Sequence, residues 1–138
     1  MDLRWIANGR RFRTLIDIGA NSGEYGAFLA EKFEIENVIA FEPQSKHALI
    51  LAARGFEVHS MALGDSNRPL MFHISRYDPA SSALPITAKC LSEWPQTAEE
   101  TQVEVPQNRM DDIFRGRKLA GDILIKVDVQ GFEGWSPP

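Results

Sequence analysis

Apolar residues along this chain come in short blocks separated by glycine, proline and small polar residues, and the spacing inside each block predicts its element. Thr14 to Ile18 is an apolar run that reaches Asp17 and then breaks into Gly19-Ala20-Asn21-Ser22-Gly23, the pattern of a strand entering a glycine loop. From Glu24 to Phe33, the side chains of Tyr25, Phe28, Leu29 and Phe33 fall on one face of a helix, and Gly26 lets that helix sit close to a sheet. Val38-Ile39-Ala40-Phe41 predicts a second buried strand, closed by Glu42-Pro43 because proline cannot continue a ladder. Ser45 is the expected N-cap of a helix over 46–54, with Gly55 as its left-handed stop, and Phe56-Glu57-Val58-His59 restarts as a strand. Buried strands alternating with helices across short connections predict an α/β fold, a Rossmann-like parallel sheet with flanking helices.

The second half is less regular. Ala62-Leu63-Gly64-Asp65-Ser66 is turn-rich, and Pro69 to Ile74 reads as a strand whose hairpin partner is Gln102-Val103-Glu104-Val105, an inserted β-hairpin. Between them, residues 76–101 form a connection so long that a lid or a mobile loop is expected. Met110 to Phe114 predicts one or two helical turns, and Asp122 to Val129 is the most strand-like stretch of the chain, the fourth strand of the sheet. No internal repeat or composition shift divides the chain, so residues 1–138 are expected to form one domain.

Composition narrows the function classes. With 43% hydrophobic and 25% charged residues in 138, the chain has the make-up of a globular domain. A formal net charge of -4 argues against nucleic acid as a partner, since such surfaces cluster Lys and Arg. Arg4, Arg10, Arg11 and Arg13 do gather, and are read as a solvated N-terminal arm. Cys90 is the one cysteine, which suits a reducing compartment and makes the cytoplasm the default. No run is long enough to span a bilayer, so no membrane association is expected. His47, His59 and His73 show no metal-ligand spacing and predict no metal, while Ser81 and Ser82 lack the partners of a catalytic serine.

Chemistry concentrates where strands end. The segment from Asp17 to Gly23 puts an acid at a strand end, small residues in a loop and then a helix start, so a ligand can lie against bare backbone while helix amides favour a carboxylate. Asp17 and the strand-end carbonyls are expected within reach of a ligand amino group, and a branched side chain at Gly19 is expected to fill the ligand's space while leaving the fold intact. Taken alone, the loop reads equally well as a tight turn. Glu42, 19 residues after Gly23, tips the balance, because nucleotide-binding α/β folds place an acid at the end of the second strand to accept ribose hydroxyls. A dinucleotide would need G-x-G-x-x-G, but Asn21 and Glu24 occupy the second and third glycine positions. A ribose ligand without phosphates fits better; S-adenosylmethionine is the commonest such cofactor, which points to methyl transfer. Lys126 and Asp128 share one side of the fourth strand, leaving Asp128 placed to meet cofactor or acceptor as base or electrostatic partner.

The strings DIGANSGEYG, AFEP, ALGD and KVDVQGFE, in that order, resemble the FkbM family of S-adenosylmethionine-dependent methyltransferases over residues 14–134. The resemblance implies that Asp17, Gly19, Asn21 and Gly23 cradle the methionine end, that Glu42 holds the ribose, and that Ala62 and Leu63 lie beside adenine. It further implies a hydroxyl acceptor, on a small molecule or a glycan, and a role for Ser81 and Ser82 in the acceptor loop. Family members continue past KVDVQGFE with further strands, whereas this chain ends at Gly134-Trp135-Ser136-Pro137-Pro138, so an incomplete C-terminal half is expected. The fourth strand would then expose Ile123, Leu124, Ile125, Val127 and Val129 and invite self-association. Two other readings stay open: a catalytically silent nucleoside- or partner-binding module, and an NAD-dependent oxidoreductase.

Overall fold

A computed structural model describes residues 2–75 and 100–129. Its centre is a four-stranded parallel sheet of β1 (Phe12–Ile18), β2 (Asn37–Phe41), β3 (Glu57–His59) and β8 (Asp122–Val127), in the order β3-β2-β1-β8. The chain therefore builds outward from β1 to β3 on one side and returns to place β8 on the other. That reversal opens a crevice beyond the carboxyl ends of β1 and β8, the position where open α/β sheets take ligands. The predicted α/β class and parallel sheet are those observed.

Strand β1 is buried on both faces, as a central parallel strand must be. Leu15 and Val38 pack with Leu3, Phe12, Leu29 and Ile35 on one face, beneath α1 (Arg4–Ala7) and α2 (Glu24–Lys32). Ile16, Ile39 and Phe41 pack on the other against Ile113, Phe114 and Leu119, around the short helix α4 (Met110–Ile113). A third cluster joins Ala20 and Ala40 to Leu51, the buried residue of α3 (Ala48–Ala53). Each fully buried Leu, Ile or Phe contributes about 1.5–3 kcal/mol.

The hairpin is as expected: β5 (Leu70–Ser75) pairs antiparallel with β6 (Glu100–Val105), Leu70 opposite Val105 and Ser75 opposite Glu100. The predicted mobile loop lies, over 76–99, outside the described residues, as do Ser81, Ser82 and Cys90. A two-residue parallel pairing of β4 (Ala62–Leu63) with β7 (Gln107–Asn108) went unforeseen, being too short to leave a pattern.

Two local expectations are corrected. Ser45 does not cap a helix: a 3-10 turn over Ser45–His47 precedes α3, with no side-chain cap, and the Glu42 carboxylate takes the Gln44 amide instead. Nor is the N-terminus wholly a solvated arm, because Leu3 is buried in the first core cluster; Arg4 remains exposed and pairs with Asp2. Among the described residues, no strand pairs with the outer edge of β8, and Ile123, Ile125 and Val127 are exposed along one face, whereas Leu124 packs against the core and Val129 is half-buried. No helix among the described residues is long and apolar enough to cross a membrane.

Candidate functional site

A cavity of about 260 Å³ opens at the carboxyl ends of β1, β2 and β8. Its walls combine the loop after β1, the end of β2, the Met61–Leu63 segment, the hairpin residues Leu70 and Phe72, and the end of β8. The floor is set by backbone pairing, since the Gly19 and Ala20 amides both donate to the Phe41 carbonyl, at 2.9 and 3.1 Å. The loop after β1 is thereby laced onto β2.

Glu42 completes that lacing. It is 5% exposed, and its Oε2 accepts from the Asn21 amide at 2.8 Å while Oε1 accepts from the Gln44 amide at 2.8 Å. Asn21 sits in the left-handed region at φ 52°, which Asn tolerates better than most residues, and its Oδ1 accepts from the Ser22 amide at 2.7 Å. Glu42 therefore both shapes the loop and lines the cavity.

Asp17 behaves differently. It is fully buried, and its Oδ1 lies 2.9 Å from the Lys126 ammonium. Burial pushes the Asp17 carboxyl above its ordinary range; the Lys126 charge and hydrogen bond pull it back, and the Asp128 charge pushes it up again. Lys126 also donates to the Gly19 carbonyl at 2.9 Å, so one ammonium joins β8, the end of β1 and the loop. On the far side, Asp17 presses against α2: a Cβ added at Gly26 would stand 2.2 Å from Oδ2. The close approach read from Gly26 is thus contact between a helix backbone and a buried carboxylate.

Gly19 owes its identity to a cause other than ligand space. At φ 73°, a Cβ there would lie 2.0 Å from the Asp128 backbone carbonyl, so a larger residue strikes the backbone just beyond β8 before it reaches a ligand. The expectation that Gly19→Val spares the fold is corrected accordingly.

Of the residues singled out from sequence, Gly19, Asn21, Glu42, Ala62, Leu63 and Asp128 converge on the cavity. Asp17 and Gly23 are not on its wall; a Cβ at Gly23 would meet Leu51 at 2.7 Å, which makes it a packing position between α2 and α3. Sequence reasoning missed Gln44, Tyr25 and Phe72 as lining residues, and saw Lys126 only through its strand alternation with Asp128. Glu133, which follows the fourth strand and reads from sequence as a weaker candidate than Asp128, lies outside the described residues. Among the described residues, no three His, Cys, Asp or Glu side chains gather as a metal site; His59 instead stacks on Phe41 at 4.8 Å.

Comparison with known proteins adds the family. No curated protein and no solved structure matches the chain. The family model described as the methyltransferase FkbM domain matches residues 17–134, from the acid that ends β1 to beyond β8. That span takes in the glycine loop, Glu42, the Ala62–Leu63 segment and the Lys126–Asp128 strand end around one cavity, and the chain belongs to the FkbM methyltransferase family.

Proposed function

We propose that this methyltransferase uses S-adenosylmethionine, held in the cavity beyond β1, β2 and β8, and methylates a hydroxyl on a small molecule or a glycan. The observation that carries the reading is Glu42: a carboxylate on the cavity wall, held by two backbone amides at the end of the second strand, where ribose hydroxyls find an acceptor. The loop after β1 brings Gly19 and Asn21 to the cavity wall, and the first amides of α2 have no acceptor within the helix, which suits a carboxylate. Ala62 and Leu63 supply an apolar wall for a flat base. When bound, the cofactor supplies a methyl group on a sulfonium that a nucleophilic oxygen can displace.

What the chain must add is modest. An acceptor hydroxyl has to be lined up behind the methyl group, and positioning alone provides much of the rate. Asp128, at the end of β8 and on the cavity wall, is proposed to take the hydroxyl proton or to stabilise the charge that develops as it leaves. The cytoplasm is the proposed setting, in keeping with a single cysteine.

Calorimetric titration with S-adenosylmethionine and S-adenosylhomocysteine, with NAD as competitor, tests the cofactor; a panel of hydroxyl acceptors then tests the reaction. Displacement by NAD would favour an oxidoreductase, and absence of binding would leave a partner-binding module. Asp128→Asn should lower turnover more than cofactor affinity; the reverse ratio would make Asp128 a binding residue. A second reading, self-association through β8, is favoured by the exposed Ile123, Ile125 and Val127, 39%, 46% and 47% accessible, and is tested by light scattering.

A further inference from the structure

We propose that Lys126 is the positioning residue of the cofactor loop, and that Asp17 acts on the cofactor only through it, as the buried counter-ion of that lysine. The inference rests on the cavity being the S-adenosylmethionine site. It departs from the role that resemblance implies for Asp17, a direct hold on the methionine end.

Geometry separates the two roles. Asp17 is fully buried and is not part of the cavity wall, whereas Lys126 lines it. The Asp17 carboxylate is closed in from two sides: Lys126 Nζ stands 2.9 Å from Oδ1, and the α2 backbone at Gly26 leaves no room for a methyl group beside Oδ2. A ligand amino group could reach it only by displacing the lysine or the helix. Gly19, by contrast, is gripped at both ends of its backbone. Its amide donates to Phe41 of β2 at 2.9 Å, and its carbonyl accepts from Lys126 of β8 at 2.9 Å. The first residue of the loop is therefore suspended between two strands, and the lysine is the side chain that sets the direction of its carbonyl.

Charge gives Asp17 its purpose. A lysine on the wall of a site for a cationic sulfonium would repel it, and the repulsion is strong where water is scarce. Paired with Asp17, the lysine keeps its hydrogen bond to Gly19 while its charge is offset. The pair thus presents the loop in a fixed orientation without opposing a cationic ligand.

The test exploits the charge difference between S-adenosylmethionine, which carries the sulfonium, and S-adenosylhomocysteine, which has the same amino group without it. In Asp17→Asn the lysine loses its counter-ion, and affinity for S-adenosylmethionine should fall about tenfold more than affinity for S-adenosylhomocysteine, the size of a charge-assisted interaction. Equal losses for the two ligands would show that Asp17 holds the shared amino group, and would overturn the proposal. The charge-neutral pair Asp17→Asn with Lys126→Met should restore the wild-type ratio while weakening both ligands about tenfold, because Gly19 has lost its donor. Wild-type affinity for both in that variant would likewise overturn it. If Asp17→Asn alone does not fold, Lys126→Met decides: its affinity for S-adenosylhomocysteine should equal that of the double variant, and a further loss in the double variant would show that Asp17 holds the amino group itself and would overturn the proposal. A readout without ligand is the carbonyl carbon shift of Gly19, which should move in the double variant and stay near wild type in Lys126→Arg; an unmoved shift in the double variant would remove the lysine from the loop. Should the wild-type chain bind neither ligand, the cofactor reading fails, and the carbonyl shift still decides whether Lys126 sets the loop.

Discussion

Replacing Gly26 with alanine sets two effects of opposite sign against each other. Gly26 lies in α2, and alanine in a helix interior is favoured over glycine by about 0.5–1 kcal/mol, so helix propensity predicts a more stable protein. The structure predicts the reverse. The new Cβ would stand 2.2 Å from Asp17 Oδ2 and 3.2 Å from its Cγ, and the carboxylate has little freedom to retreat because Oδ1 is 2.9 Å from Lys126. Either α2 lifts off the sheet or the ion pair stretches. Overpacking of this kind costs about 1–3 kcal/mol, so after the propensity gain the net loss should centre near about 1 kcal/mol and reach at most about 2.5 kcal/mol. For a chain of this length a loss of about 1 kcal/mol lowers Tm by about 3–5 °C. Urea unfolding followed by circular dichroism measures the change, with a lower midpoint at unchanged slope expected. In a background of Asp17→Ala with Lys126→Met, which removes the carboxylate and its partner together, Gly26→Ala should become neutral or mildly stabilising. A higher urea midpoint for Gly26→Ala in the wild-type background would refute the claim that the helix rests on the carboxylate.

Glu42→Ala should lower stability by about 1–3 kcal/mol in urea, since the Asn21 and Gln44 amides both lose their acceptor, and should weaken S-adenosylhomocysteine binding about tenfold to a hundredfold by calorimetry. Gly19→Ala should destabilise by at least about 2 kcal/mol, because its Cβ meets the Asp128 carbonyl at 2.0 Å and its φ of 73° is strained for alanine; a wild-type melting curve would contradict this. The paired hydrogen bonds from Arg117, at 2.6 and 2.7 Å, hold the Glu57 carboxyl at about 2, against opposing burial and with help from His59. Because the folded value lies below the ordinary 4.5, this group's stabilisation is present above pH 4.5 and is lost as pH falls towards 2. With side chains 40% and 42% exposed, the loss should be at most about 1 kcal/mol, and Arg117→Ala should flatten that part of the stability–pH profile.

Much of this protein is legible in the order of its residues. The apolar runs at Leu15–Ile18, Val38–Phe41 and Ile123–Val127, each broken by small residues or proline, announce buried strands because a parallel strand is covered on both faces and cannot alternate. Gly19, Asn21 and Glu42 could be placed together on one cavity wall from sequence because they sit where strands end, and chain connectivity alone brings strand ends to one edge of such a sheet. What sequence could not decide is which of two neighbouring acids faces the cavity. Asp17 and Glu42 both end strands, yet Asp17 is sealed beneath α2 and neutralised by a lysine far along the chain, while Glu42 reaches the wall. The reason for Gly19 was also hidden, since it lies in the carbonyl of Asp128 on a strand that sequence places only by type, not by contact. Local patterns report the period and end of each element, because those depend on neighbouring residues; the Asp17–Lys126 pair, the Gly19–Asp128 approach and the β4–β7 pairing depend on distances across the sheet, which exist only once the chain has folded.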